Sequence, residues 1–249
     1  MKKGFDNLKI AGRNAVSEAL KSNLTIERLA VAKGLKDAQA NRLINLARSK
    51  GVKIVFLDKD VLDKESKGQR HQGFIADVND YKYSAVEDIL KSAQEKNQDP
   101  LIIILDGVED PHNLGSVLRV AECAGAHGVI IPRHRSASVN ETVIKVSAGA
   151  ASHVKVAKVA NINDAIRRLK ELNIRVLAAE TGGQNIYQTD LKGALCVVIG
   201  GEDSGVKQLT KKLCDGIITL PMFGQVNSLN ASVACGAVIY EAIRQRNFD

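Results

Sequence analysis

From Leu101 onward the chain alternates short, wholly apolar runs with helical patterns, and this alternation limits the possible folds more than any other feature. Leu101-Ile102-Ile103-Ile104-Leu105 holds no polar residue, so the strand it forms must be covered on both faces. A sheet with one wet face would alternate apolar and polar positions instead. Residues 128–132, 154–159, 174–179, 195–200 and 216–220 repeat the strand signal. Helical patterns fill 113–124, 140–148, 162–172, 206–213 and 230–246. Together they predict an α/β fold whose mostly parallel sheet carries helices on both sides. Ligands of such sheets sit at the carboxyl ends of the strands. That rule directs attention to three loops, 107–113, 200–205 and 221–229.

The first part of the chain reads differently. Helices are expected at 14–20 and 39–50, the second with Leu43, Ile44 and Ala47 facing inward, and strands at 26–32, 51–56 and 73–78. Residues 79–98 are polar and read as a linker that holds at most one helix, 85–92. The expected organisation is thus a small domain over 1–78, a linker over 79–98 and a larger domain over 99–249. Charge divides the same way. Residues 1–80 carry 16 Lys+Arg against 10 Asp+Glu, whereas residues 81–249 carry 19 against 18. A basic module beside a near-neutral one points to a polyanion gripped by the first and chemistry done by the second.

Several function classes fall away. The longest aliphatic run is far short of the ~20 residues that span a bilayer, and Met1-Lys2-Lys3 is followed by Gly4-Phe5-Asp6-Asn7 rather than an apolar stretch. A cytoplasmic protein without membrane association is expected. Cys123, Cys196, Cys214 and Cys235 form no CxxC pair, so no metal site is expected and the thiols read as buried and free. Gly107-Val108-Glu109-Asp110-Pro111-His112-Asn113 is neither G-x-G-x-x-G nor a Walker loop, which argues against a flavodoxin-like or dinucleotide-binding enzyme.

The three loops carry the chemistry. Asn113 stands where it could cap the following helix. Arg119 interrupts an apolar helical run, and a buried guanidinium there needs an anionic partner, either a carboxylate such as Glu122 or Glu202 or a ligand phosphate. Val198-Ile199-Gly200-Gly201-Glu202-Asp203-Ser204-Gly205 ends a strand with glycines that permit close backbone approach. Leu220-Pro221-Met222-Phe223-Gly224-Gln225-Val226-Asn227-Ser228-Leu229-Asn230-Ala231-Ser232 places an apolar segment before more Asn and Ser residues than one helix cap requires.

In their order and spacing, three segments resemble the motifs of the SpoU (TrmH) family of RNA 2′-O-ribose methyltransferases. They are Asp106…Asp110-Pro111-His112-Asn113-Leu114-Gly115-Ser116…Arg119, Gly200…Glu202…Gly205 and Leu220-Pro221-Met222…Ser228-Leu229-Asn230…Ser232-Val233-Ala234. Ile10-Ala11-Gly12-Arg13-Asn14-Ala15-Val16 and His71-Gln72-Gly73 are similar to the family's substrate-binding domain. The subgroup most resembled is the 23S ribosomal RNA guanosine-2′-O-methyltransferases. Asp203 departs from the usual Gly.

The resemblance implies a SPOUT fold with a deep C-terminal trefoil knot, an N-terminal domain like ribosomal protein L30e that grips RNA, and a homodimer. It implies S-adenosyl-L-methionine as cofactor, held by Gly200, Leu220, Met222 and Leu229. It implies catalytic roles for Arg119, Asn113, Glu202, Ser228 and Asn230. Arg119 would hold a phosphate and stabilise an alkoxide or act as general base, with Glu202 orienting it and Asn113 bonding it or the ribose. The implied partner is RNA, ribosomal rather than DNA. A transfer RNA guanosine methyltransferase and a non-catalytic ribosome-assembly factor are the alternatives.

Overall fold

The computed structural model describes residues 8–21, 24–66, 68–78, 81–202 and 204–248. Two compact units emerge: residues up to Lys82 together with Val139–His153, and Tyr83–Ser138 together with Val154–Asp249.

The first unit is built on a four-stranded sheet in the order β1-β4-β2-β3. Its strands are β1 (Leu8–Ala11), β2 (Ile26–Ala32), β3 (Lys53–Leu57) and β4 (Phe74–Val78). β2 and β3 run parallel, and β4 is antiparallel to both β1 and β2. Helices α1 (Arg13–Lys21), α2 (Ala38–Ser49) and α3 (Lys59–Glu65) accompany it. Asp37 caps α2 by accepting from the Ala40 N–H at 2.9 Å, and Leu43, Ile44 and Ala47 are buried as their spacing requires. A charge cluster crosses the sheet: Arg28 bridges Asp77 and Glu65, and Lys9 lies 3.0 Å from Glu65. Hydrogen bonding from Arg28, opposed by burial and helped by Lys9, holds the Glu65 carboxyl below its ordinary value. Residues 8–11 and 59–65 form a strand and a helix that the sequence pattern did not suggest, the strand being only four residues long and the helix short and highly charged.

The second unit carries a six-stranded sheet, β10-β8-β9-β5-β6-β7, parallel throughout. β5 (Leu101–Asp106), β6 (Gly128–Pro132) and β9 (Leu195–Gly200) have the expected bounds. β7 is Val156–Val159, β8 is Arg175–Asn185 and β10 is Gly216–Thr219. Ile102, Ile104, Val176 and Val198 share one core cluster with Ile162, Ile166 and Leu169 of α7 (Ile162–Glu171). Burying each such side chain is worth about 1.5–3 kcal/mol.

Helix α4 (Val86–Glu95) lies inside the stretch expected to be a linker. It buries Val86 and Ile89 in that same cluster, and Asp88 accepts from the Ala85 N–H at 2.8 Å, so the helix is anchored in the core rather than being part of a free spacer. Its apolar positions are diluted by charges, which hid them. α6 (Glu141–Val146) belongs to the first unit, although it lies within the span read as one large domain. Helices α5 (Pro111–Cys123) and α9 (Ala231–Phe248) pack on each other, and α8 (Gln208–Leu213) precedes β10.

The cysteines were read as buried. Cys196 and Cys235 are, and burial pushes the Cys235 thiol up to about 12. Cys123, in the last turn of α5, is exposed instead. No described helix is long and apolar enough to cross a membrane.

Candidate active site

Because β5, β8, β9 and β10 run parallel, their carboxyl ends lie at one edge of the sheet. A cavity of about 370 Å³ opens there. That is the size of a small-molecule site, ~300–1,000 Å³. Its wall combines 179–181, 199–202, 218–220 and 228–231 with Gly205, Met222 and two residues of α9, Ala234 and Val238. Gly200, Leu220, Met222 and Leu229 all line it, as do Glu202, Ser228 and Asn230.

The loop after β9 folds back on itself so tightly that it needs glycine. A Cβ on Gly200 would lie 2.1 Å from the carbonyl carbon of Gly205 and 2.3 Å from the nitrogen of Val206. The Gly205 N–H donates to the Gly201 carbonyl at 3.0 Å and closes the turn. The loop is pinned to the end of β5: Gly201 N–H donates to the Asp106 carbonyl at 3.0 Å. The wholly buried Asp106 carboxylate accepts from the Lys207 N–H at 3.0 Å and sits 2.9 Å from the Lys207 ammonium. Asp203 lies outside the described residues.

At the mouth, one side chain from each loop converges. Asn113 Nδ2 donates to Glu202 Oε1 at 2.6 Å. Asn230 Nδ2 donates to the same Glu202 oxygen at 2.9 Å and to Asn113 Oδ1 at 2.9 Å. Asn230 also caps α9, its Oδ1 accepting from the Ser232 N–H at 2.9 Å, the Ser232 hydroxyl at 2.7 Å and the Val233 N–H at 3.3 Å. The cap decides the amide's orientation, because Oδ1 must face the helix N–H groups and Nδ2 is left to face Glu202. The two bonds to the carboxylate are charge-assisted.

Two expectations change. Asn113 does not cap α5; Asp110 does, accepting from the His112 N–H at 2.8 Å, with Pro111 as the first helical residue. Asn113 is therefore free to cross to Glu202. Arg119 is not buried. Leu114, Val117, Leu118 and Ala121 form the inward stripe of α5, and Arg119 points away from it into solvent. Among the described residues it forms no ion pair with Glu122 or Glu202 and no hydrogen bond with Asn113, so the salt bridge considered from sequence is not formed. Glu180 is a cavity residue that the sequence reading missed. The strand-end rule would have found it had β8 been read with its following Glu180-Thr181-Gly182-Gly183.

Comparison with known proteins adds independent findings. Residues 100–240 match the model of the SpoU rRNA Methylase family, and residues 9–84 match the model for RNA 2′-O ribose methyltransferase substrate binding. The chain is 42% identical over 239 residues to the TrmH-family protein YacO of Bacillus subtilis, covering 96% of each. It is 41% identical over 221 residues to the 23S rRNA (guanosine-2′-O-)-methyltransferase RlmB of Escherichia coli K12, covering 87% of this chain and 89% of that one. Among solved structures, the SpoU methyltransferase AviRb of Streptomyces viridochromogenes, in complex with AdoMet, superposes with a TM-score of 0.83 at 22% identity, covering 96% and 90% of the two chains.

Proposed function

The chain belongs to the SpoU rRNA methylase family, S-adenosylmethionine-dependent RNA 2′-O-ribose methyltransferases, and from that premise we propose that it methylates the ribose of a guanosine in 23S ribosomal RNA. The observation that carries the reading is the Asn113–Glu202–Asn230 triangle, drawn from three separate loops, at the mouth of a cavity lined by Gly200, Leu220, Met222 and Leu229. The residues present fit S-adenosylmethionine. Leu220, Met222, Leu229 and Ala234 offer an apolar wall for a flat base, and Gly200, Gly201 and Gly205 leave backbone groups unshielded for its polar edges. When bound, the cofactor supplies a methyl group on positive sulfur, which needs no further activation.

The protein's task is to present a poor nucleophile in line and ease its proton loss. Arg119, a donor-only group open to solvent, holds the phosphate beside the target ribose and stabilises the developing alkoxide. Asn113 and Glu202 fix the mouth, Asn230 locks it to α9, and Ser228, on the cavity wall, orients the hydroxyl.

The reading extends to architecture and assembly. The unit of residues up to Lys82 with Val139–His153 serves as an L30e-like RNA-gripping domain and the other unit as the methyltransferase domain, supported by the basic excess before residue 80 and the two family matches. A trefoil knot at the carboxy end is part of the same reading, supported by the family match over residues 100–240. A homodimer is supported by the exposed apolar residues Phe223, Val226, Leu229, Val233 and Tyr240. A place of action in the cytoplasm is supported by the bacterial origin of the relatives.

Ribose methylation mapped across total RNA from cells lacking the gene tests the reading. One 23S rRNA guanosine is expected to lose its mark, to regain it with the wild type and not with Arg119→Ala. A lost mark in transfer RNA, or no lost mark, would overturn the substrate assignment.

A further inference from the structure

The register of β8 sets up a feature that none of the three motifs contains. Its ladder with β9 ends at the pair Ala179–Ile199. Its ladder with β10 jumps from the pair Ile217–Ala178 to the pair Ile218–Gln184. Residues 179–183 therefore bulge out of the sheet, and Ala179, Glu180 and Thr181 become cavity wall. Bulges re-aim side chains in this way beside active sites. The Glu180 carboxylate is held firmly once there. Oε2 accepts from the Val206 N–H at 3.0 Å, and Oε1 accepts from the Thr181 N–H at 3.0 Å. The backbone of Gly205 lies against it, where a Cβ would come within 2.3 Å of Oε2. Lys211 stands 3.8 Å away and does not line the cavity.

Charge is what makes this placement informative. Among the described residues lining the cavity, the charged ones are Glu180 and Glu202, with no Lys, Arg or His. Glu202 is committed to the two amides at the mouth. Glu180, on the cavity wall, is bonded by backbone N–H groups and, among the described residues, by no side-chain amide. Donor and spent product differ by one methyl group and one positive charge, since the sulfonium becomes a neutral thioether. An apolar wall reads the methyl weakly, whereas a fixed carboxylate reads the charge.

Resting on the methyltransferase reading, we propose that Glu180 is the specificity-determining residue by which this cavity prefers the sulfonium donor and releases the thioether product. Removing one unit charge from the cavity wall, at an effective dielectric between those of a protein surface and water, corresponds to a change in preference of about five- to tenfold.

Calorimetric titration of the full chain with S-adenosylmethionine and, separately, S-adenosylhomocysteine tests this. Glu180→Gln removes the charge and keeps an oxygen to accept the Val206 N–H, at the expense of the bond from the Thr181 N–H, a local loss that falls on both ligands alike. Donor affinity is expected to fall about five- to tenfold while product affinity stays within about twofold. Lys211→Ala, which removes the cation behind Glu180, is expected to shift the ratio the other way, toward the donor. An equal loss of both ligands in Glu180→Gln would mean that the carboxylate only packs the loop, and unchanged affinities would mean that it is not read at all; either overturns the proposal. A wild type that binds neither ligand would overturn the methyltransferase reading itself, a result distinct from both.

Discussion

Asn230 does two jobs with opposite ends of one amide, and substitution can separate them. Asn230→Ala removes the cap of an 18-residue helix together with two donated bonds, one of them to a carboxylate. A lost cap costs about 1 kcal/mol. The bonds add about 1–2 kcal/mol at so exposed a site, giving a total near 2–3 kcal/mol. Asn230→Asp keeps the acceptor that faces Ser232 and Val233, and its charge favours a helix N-terminus by about 0.5 kcal/mol. It also sets an anionic oxygen where Nδ2 stood, 2.9 Å from Glu202 Oε1. Two charges that close repel by about 1.4 kcal/mol in bulk water and by more near protein. The Asp variant loses the same two donated bonds, so at pH 7.5 it should lose about 2–3 kcal/mol, much as Ala does. Lowering the pH lets the crowded carboxylates share a proton, so the Asp deficit shrinks by pH 5.5 while the Ala deficit does not. Urea denaturation at both pH values, with methyl transfer measured in parallel, reads both jobs. Turnover should fall about 100-fold in each variant, since neither keeps the triangle. An Asp variant as unstable as Ala at both pH values would refute the capping argument. One with wild-type turnover would refute the role of the triangle.

Other outcomes follow from the same geometry. Gly200→Ala should abolish calorimetric binding of S-adenosylmethionine, because the added Cβ meets backbone at 2.1 Å rather than a movable side chain; retained affinity would contradict the tight-loop account. Arg119→Ala should leave cofactor affinity intact and remove most methyl transfer if this exposed cation holds the substrate phosphate as proposed, and near-normal tritium incorporation would reject that role. His127 accepts from the Leu101 N–H through Nδ1 at 3.0 Å, and burial, helped by Lys96 and Arg246, lowers its pKa below the ordinary imidazole value. The unfolded chain then binds more protons as the pH falls below about 6.5, so stability should decline on acidification from pH 7.5 to 5.5. His127→Gln should flatten that decline in urea midpoints; an unchanged slope would place its origin elsewhere.

How far the sequence was readable depended on where the information lay. β5, β6 and β9 were legible because strands covered on both faces are almost wholly apolar, and turn residues such as Gly107 and Gly201 follow them. A helix was legible at 85–92, but Val86 and Ile89 stand among charges that face solvent, so its anchoring in the core was not. Arg119 was misjudged as buried from its immediate neighbours alone. On a helix Leu118 and Val120 point elsewhere, and the stripe through Leu114, Val117 and Ala121 decides which side is wet. The site residues were recognisable as motifs, but their mutual bonds were not. No spacing rule says that Asn113 would leave the cap to Asp110 and reach Glu202, 89 positions away. Glu180 stayed hidden because β8 outruns its apolar core, and the bulge that turns it inward is set by pairing with β10, a long-range register that one strand cannot announce.

The central claim is that this cavity delivers a methyl group to ribose oxygen. Incubating the purified chain with tritiated S-adenosylmethionine and unmodified 23S rRNA, then digesting to nucleosides, tests it most directly. The account predicts label in 2′-O-methylguanosine alone, absent with Asn230→Ala. Label on a base, or none in an enzyme that binds the donor, would contradict it.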